Sequence, residues 1–88
     1  MSARQIKITG VVQGVFFRAN TLDKAKELNI SGWVKNCPDG AVEIFAEGPD
    51  EALTELTHWC HHGPDTAEVD GVEIKEVKEE GFKSFEIV

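Results

Sequence analysis

Apolar and polar residues alternate from Ile6 through Lys7 and Ile8 to Thr9, the two-residue period of a half-buried strand ending at Gly10. The period then changes. From Ala19 the apolar positions are Ala19, Leu22, Ala25 and Leu28, set among Asp23, Lys24, Lys26 and Glu27, which is helical spacing with one wet face. Between them, Gly10-Val11-Val12-Gln13-Gly14-Val15-Phe16-Phe17-Arg18 is a strand-to-helix connection. Trp33-Val34-Lys35-Asn36 reads as a second strand, followed by a Cys37-Pro38-Asp39-Gly40 turn in which Gly40 takes the positive φ that other residues resist. Val42, Ile44 and Ala46 alternate with Glu43, Phe45 and Glu47, so a third strand closes a hairpin. Gly48-Pro49-Asp50-Glu51 opens a second helix, with acidic groups on the positive end of its dipole and Leu53, Leu56, Trp59 and Cys60 on its buried side. His62-Gly63-Pro64 ends it. Val69, Val72 and Ile74 predict a fourth strand with an irregularity near Gly71, and Phe85 and Ile87 lie on one side of a short last strand. The order βαββαβ predicts an α+β, ferredoxin-like sandwich: an antiparallel sheet with two helices on one face and a short extra C-terminal strand.

Composition adds exclusions. Eighty-eight residues suffice for one modest core, so residues 1–88 are expected to fold as a single domain without linkers or low-complexity tracts. No apolar run approaches the ~20 residues that cross a bilayer, and the Met-Ser-Ala-Arg-Gln start lacks the apolar core of a leader, so a cytoplasmic protein without membrane attachment is expected. Sixteen acidic against nine basic side chains give a net charge of −7, which repels a phosphate backbone and disfavours nucleic acid as a partner. A small anion remains admissible, because local N–H groups and one arginine outweigh a net charge screened beyond roughly 8 Å. Cys37 and Cys60 have neither zinc spacing nor the density of a disulfide scaffold and read as free thiols. His58, His61 and His62 crowd one helix end without a completing carboxylate or thiolate; exposed histidines at a helix C-terminus are the simpler reading, and no metal is expected.

The candidate chemistry lies in the connection. A strand entering a helix through a glycine-containing loop leaves N–H groups unpaired where the helix dipole is positive. Arg18 adds a planar fork that grips two phosphoryl oxygens at once. The loop lacks a Gly-Lys-Ser/Thr ending, so it suits one phosphoryl group and not a nucleotide. If the first strand runs up and the first helix down, the second strand brings Asn36 back to the level of this loop. One arginine, a set of N–H groups and one amide include no nucleophile and no base. Such a set suits an acyl phosphate, whose carboxylate leaves without a general acid or a metal.

At these residues the chain resembles the acylphosphatase family. Gly10 to Arg18 matches its first signature, Gly-x-Val-Gln-Gly-Val-x-Phe/Met-Arg. Gly32-Trp33-Val34-Lys35-Asn36, with Asp39-Gly40, Val42 and Gly48 at the expected spacing, is similar to the second, and Gly63-Pro64 and Phe85-x-Ile87 also agree. The resemblance spans essentially the whole chain. It implies a monomeric hydrolase of small acyl phosphates that releases a carboxylate and inorganic phosphate without cofactor or metal. Arg18 and the backbone N–H groups of Gln13, Gly14, Val15, Phe16, Phe17 and Arg18 would bind the phosphoryl group, and Asn36 would orient the attacking water. Val11 departs from the basic residue common there and lowers the local positive potential, while Phe16 replaces a commonly small residue and narrows the mouth of the loop. Two rivals stand beside this reading: a non-catalytic anion- or protein-binding module of the same fold, and a carbamoyl-phosphate-handling domain of a larger maturation enzyme, which a chain ending with the domain makes less favoured. Trp33, Trp59 and Phe45 are expected in packing, since no basic groove accompanies them as a base-stacking platform would require.

Overall fold

In the computed structural model, which describes residues 1–88, the alternation around Ile6 and Ile8 lies at the centre of β1 (Ser2–Val11). The chain continues through α1 (Phe17–Glu27), β2 (Ser31–Asn36), β3 (Val42–Gly48), α2 (Asp50–Cys60), β4 (Glu68–Val77) and β5 (Phe85–Ile87). The sheet order is β4-β1-β3-β2-β5. Four strands pair antiparallel, whereas β5 lies parallel to β2 and makes the five-stranded sheet mixed. The parallel edge follows from chain direction. β4 ends at the end of the sheet where β2 starts, so residues 78–84 cross there and β5 runs alongside β2, joined by Gly32 N–H to Ser84 O at 2.9 Å and Val88 N–H to Val34 O at 3.0 Å.

Cross-strand register explains the single core. Ile6 opposes Ile44 and Ile44 opposes Val34, so one face of three strands is continuously apolar. Both helices bury their apolar sides there, and Ala25, Leu53, Leu56 and Cys60 join the strand residues in one cluster. The buried stripe of α1 differs from the expected one. Phe17, Thr21 and Ala25 are buried, while Ala19 is exposed and Leu22 and Leu28 only edge the core. The helix starts two residues earlier than the first helical period suggests because Phe17 turns inward, and Thr21 is tolerated inside because its hydroxyl donates to Phe17 O at 2.8 Å. At the other end of the chain, α2 buries Leu53, Leu56 and Cys60 as expected, with Trp59 half-buried against the Phe17 ring, 5.3 Å between centroids.

The irregularity near Gly71 is a bulge: Thr9 pairs with Gly71 but Gly10 with Val69, leaving Asp70 over. Gly10 is needed there for close approach, since at φ 125° a Cβ would lie 2.2 Å from Glu68 O. It belongs to the strand and not to the turn. The opposite sheet face is partly covered too. Phe45 stacks on Trp33 at 6.0 Å and meets Phe82 edge-on at 5.5 Å, and Glu47 is buried too. The Glu47 carboxylate accepts the N–H groups of Glu80, of Gly81 at 3.1 Å and of Phe82 at 2.9 Å. Simple alternation puts Phe45 and Glu47 toward solvent; the 78–84 crossing buries them.

Candidate phosphoryl-binding site

β1 and β2 finish at the same end of the sheet, which brings the loop before α1 beside Asn36. Gly14, at φ 74°, turns the loop without contacting anything a side chain would hit, so its requirement is conformational. Two residues later Phe16, the N-cap of α1, also adopts the left-handed region, with φ 66° and ψ 19°. Its carbonyl is clamped by Asn20, whose backbone N–H and side-chain Nδ2 donate at 3.1 and 2.8 Å. Val12 and Phe17 are both 1% exposed and anchor the two ends of the loop in the core. Gln13 ties it sideways, its Nε2 donating to Cys37 O at 2.8 Å and Ala41 O at 2.9 Å, and Thr66 donates to Val15 O at 2.6 Å. The loop is therefore braced against the core, the β2–β3 turn and the segment after α2.

This bracing leaves donors unpaired. No N–H of residues 13–19 donates to the backbone bonds made in turns, loops and caps. The first turn of α1 contains no acidic residue, in contrast to Asp50 and Glu51 of α2, and it carries Arg18 where the helix dipole disfavours a cation. Arg18 forms no ion pair, unlike Arg4, Lys7, Lys24 and Lys35.

A cavity of about 320 Å³ opens onto these groups. Its walls are Val12, Gly14, Phe16 and Phe17 from the loop, Arg18 and Ala19 from α1, Asn36 from β2 and Ile87 from β5. Arg18 and Asn36 supply the only polar side chains. The Asn36 Oδ1 atom is buried without a hydrogen-bond partner, a state costing roughly 1–3 kcal/mol and one that marks an acceptor held for something other than the chain. Of the residues expected at the site, Gly14, Phe16, Phe17, Arg18 and Asn36 line this cavity; Gln13 and Val15 are absent from its wall, and the Gln13 side chain and the Val15 carbonyl brace the loop. The sequence pattern places Ile87 only in a strand, and the bracing by Thr66 has no local signature, because Thr66 reaches Val15 across 51 positions of the chain.

Other candidates lack this convergence. A larger concavity of about 450 Å³ on the open sheet is lined by Gln5, Ile74 and charges of both signs, Lys7, Glu43, Glu73 and Lys75. Lys7 there is engaged by Asp39 at 2.8 Å, a hydrogen bond that holds the Asp39 carboxyl below its ordinary value and the Lys7 ammonium above its own. No three His, Cys, Asp or Glu side chains are grouped to hold a metal ion. Cys37 and Cys60 are free thiols, and burial pushes Cys60 up to about 12.

A cation, unpaired N–H groups and an unpaired amide oxygen around one cavity can hold a tetrahedral anion and a water. They offer no nucleophile. The family model described as acylphosphatase matches residues 4–87. An acylphosphatase of Rubrobacter xylanophilus is 49% identical over 92 residues, covering 98% of this chain and 84% of the relative. The crystal structure of acylphosphatase from Bacillus subtilis is similar at a TM-score of 0.97 and 38% identity, over 100% of this chain and 99% of that one. Full-length HypF in its phosphate- and nucleotide-bound form is similar at a TM-score of 0.89 and 30% identity, over 99% of this chain but only 12% of that one.

Proposed function

Because the chain belongs to the acylphosphatase family and is an enzyme hydrolysing the carboxyl–phosphate bond of small acyl phosphates, we propose how its residues divide that reaction. Arg18 and the unpaired N–H groups of the 13–18 loop bind the phosphoryl oxygens. Asn36 accepts a hydrogen bond from the attacking water through Oδ1 and holds it in line with the bond to be broken. The observation that carries this reading is that Asn36, whose buried Oδ1 has no partner, lines the same cavity as Arg18.

Phosphoryl transfer passes through a loose transition state with charge spread over the equatorial oxygens, so fixed donors and in-line placement do most of the work. The carboxylate takes the electron pair of the broken phosphorus–oxygen bond. Its conjugate acid has a pKa of about 4, so no general acid is needed. The new phosphorus–oxygen bond acidifies the water, whose proton passes to product phosphate or solvent. Neither a metal nor a cofactor has a step to perform in this scheme.

In the same reading the 88 residues work as one monomeric domain in the cytoplasm. Every group assigned to the reaction comes from a single copy, and no helix is long and apolar enough to cross a membrane. The test is hydrolysis of acetyl phosphate with a chelator present. Turnover should persist with chelator and fall by roughly 10²-fold or more in Arg18→Ala, in line with loss of one preorganised oxyanion donor. Near-normal turnover by that variant overturns the role of Arg18.

A further inference from the structure

Phe16 sits at φ 66° and ψ 19°, a conformation that an exposed phenylalanine keeps only when its surroundings impose it. The φ and ψ of a residue are set by the peptide planes on either side of its Cα, and at Phe16 both planes are held by their carbonyls. Thr66 Oγ1 donates to Val15 O at 2.6 Å, while the backbone N–H and the Nδ2 of Asn20 donate to Phe16 O at 3.1 and 2.8 Å. Asn20 reaches back one turn within α1. Thr66 stands in the turn after α2, where Ala67 N–H donates to Pro64 O at 2.9 Å and Gly63 lies so close to the Phe17 ring that a Cβ there would collide with it. That close approach lays the 63–67 turn against the loop.

A trans peptide points its C=O and its N–H in opposite directions, and the peptide bonds here are trans. Holding Val15 O therefore sends the Phe16 N–H away from Thr66, and holding Phe16 O sends the Phe17 N–H away from the Asn20 amide. Phe16 and Phe17 line the cavity that contains Arg18, whereas Thr66 and Asn20 do not. Neither N–H donates to a backbone acceptor in the turns, loops and caps. A left-handed residue followed by a helical one also curls successive N–H groups around a common point, a concavity suited to an anion. Resting on the phosphoryl-binding role of Arg18 and its loop, we propose that Thr66 and Asn20 are positioning residues of the hydrolysis, fixing the peptide planes on either side of Phe16 so that the N–H groups of Phe16 and Phe17 converge on the phosphoryl oxygens. Both act through the backbone and neither touches the substrate. Donors fixed in advance need not reorient as charge develops on those oxygens, so freeing either plane slows the chemical step as well as weakening anion binding.

The experiment measures kcat and KM for acetyl phosphate, the inhibition constant of inorganic phosphate and Tm in the parent enzyme, Thr66→Val, Thr66→Ser, Asn20→Ala and Arg18→Ala. Valine keeps the shape of threonine without the donor, and serine keeps the donor. Thr66→Val should lower kcat by about tenfold and raise the phosphate inhibition constant by about threefold to fivefold, while Thr66→Ser should hold both within about twofold of the parent. Asn20→Ala retains the backbone N–H bond to Phe16 O, so kcat should fall by only about threefold. Both side chains are exposed, so Tm should stay within about 5 °C of the parent in these variants. If Thr66→Val and Asn20→Ala leave kcat and the phosphate constant unchanged, whatever happens to Tm, while Arg18→Ala weakens both, the positioning roles are overturned and the phosphoryl-binding role stands. A Thr66→Ser enzyme as impaired as Thr66→Val removes the hydroxyl from the mechanism and overturns the role of Thr66. A phosphate constant equal in Arg18→Ala and the parent overturns the phosphoryl-binding role and the positioning roles with it.

Discussion

Asn36 ends β2 with a side-chain oxygen that no group of the chain satisfies, while Gln13, twenty-three positions earlier, uses its amide to hold Cys37 and Ala41 on either side of the next turn. Two amides of similar chemistry therefore take different parts. Gln13 spends both donor protons on carbonyls and fixes the loop against the hairpin, whereas Asn36 lines the cavity and keeps its buried acceptor unpaired. Asn36→Ala should lower kcat for acetyl phosphate by roughly 10²-fold with KM changed by less than about threefold, since water placement acts in the transition state. Steady-state kinetics checks it, and an effect on KM alone removes Asn36 from the water-orienting role. Arg18 belongs to the same scale. Its charge is unpaired and placed against the helix dipole, a local cost of about 0.3–1 kcal/mol that the proposed anion binding would offset.

Between elements, the least regular contact is the most informative. The 78–84 crossing has no regular secondary structure up to Ser84, yet Glu47 of β3 gathers three consecutive N–H groups of it and Phe82 packs on Phe45. That clamp sets where β5 can begin, and β5 carries Ile87 into the cavity wall. Glu47→Gln keeps the volume but turns a charged acceptor into an amide. It should cost about 2 kcal/mol, lowering Tm by roughly 10 °C for a chain of this size. Thermal unfolding measures the loss, and amide exchange at Glu80 to Phe82 should quicken. Glu47 lies opposite Ser31, at the end of β2 far from Asn36, so turnover of acetyl phosphate below Tm should stay within about twofold of the parent. An unchanged Tm would sink the clamp.

Over the whole molecule, an anionic substrate bound as proposed must approach a surface of net charge −7 to reach one unpaired arginine. The molecule is 31 × 22 × 22 Å. At 0.01 M salt the Debye length of about 30 Å matches that size and the whole acidic surface repels the substrate; at 0.1 M it is about 10 Å and the cradle acts nearly alone. Raising sodium chloride from 0.01 to 0.1 M should therefore increase kcat/KM for acetyl phosphate by about twofold to threefold and leave kcat nearly constant. A steady decrease over that range would mean that the local positive field of the cradle dominates even at long range.

The element order, both helices and the bulge near Gly71 were legible in local pattern, because burial on one face imposes period 2 on strands and 3.6 on helices. The loop and Arg18 were legible for a related reason: unpaired N–H groups, a permissive Gly14 and a cation are neighbours in the chain. Other features depend on contacts between distant positions. Ala19 reads as apolar yet is exposed, since the inward turn of Phe17 sets the phase of α1; Phe45 is packed as expected, but alternation alone leaves it and Glu47 on the outer face, and a segment thirty-three or more residues later covers them. The parallel pairing of β5, the place of Ile87 in the cavity wall and the partnerless oxygen of Asn36 belong to this second group. Periodicity reports which face of an element is wet, whereas the partner of each group is chosen by chain direction and packing, which join residues that no local window contains.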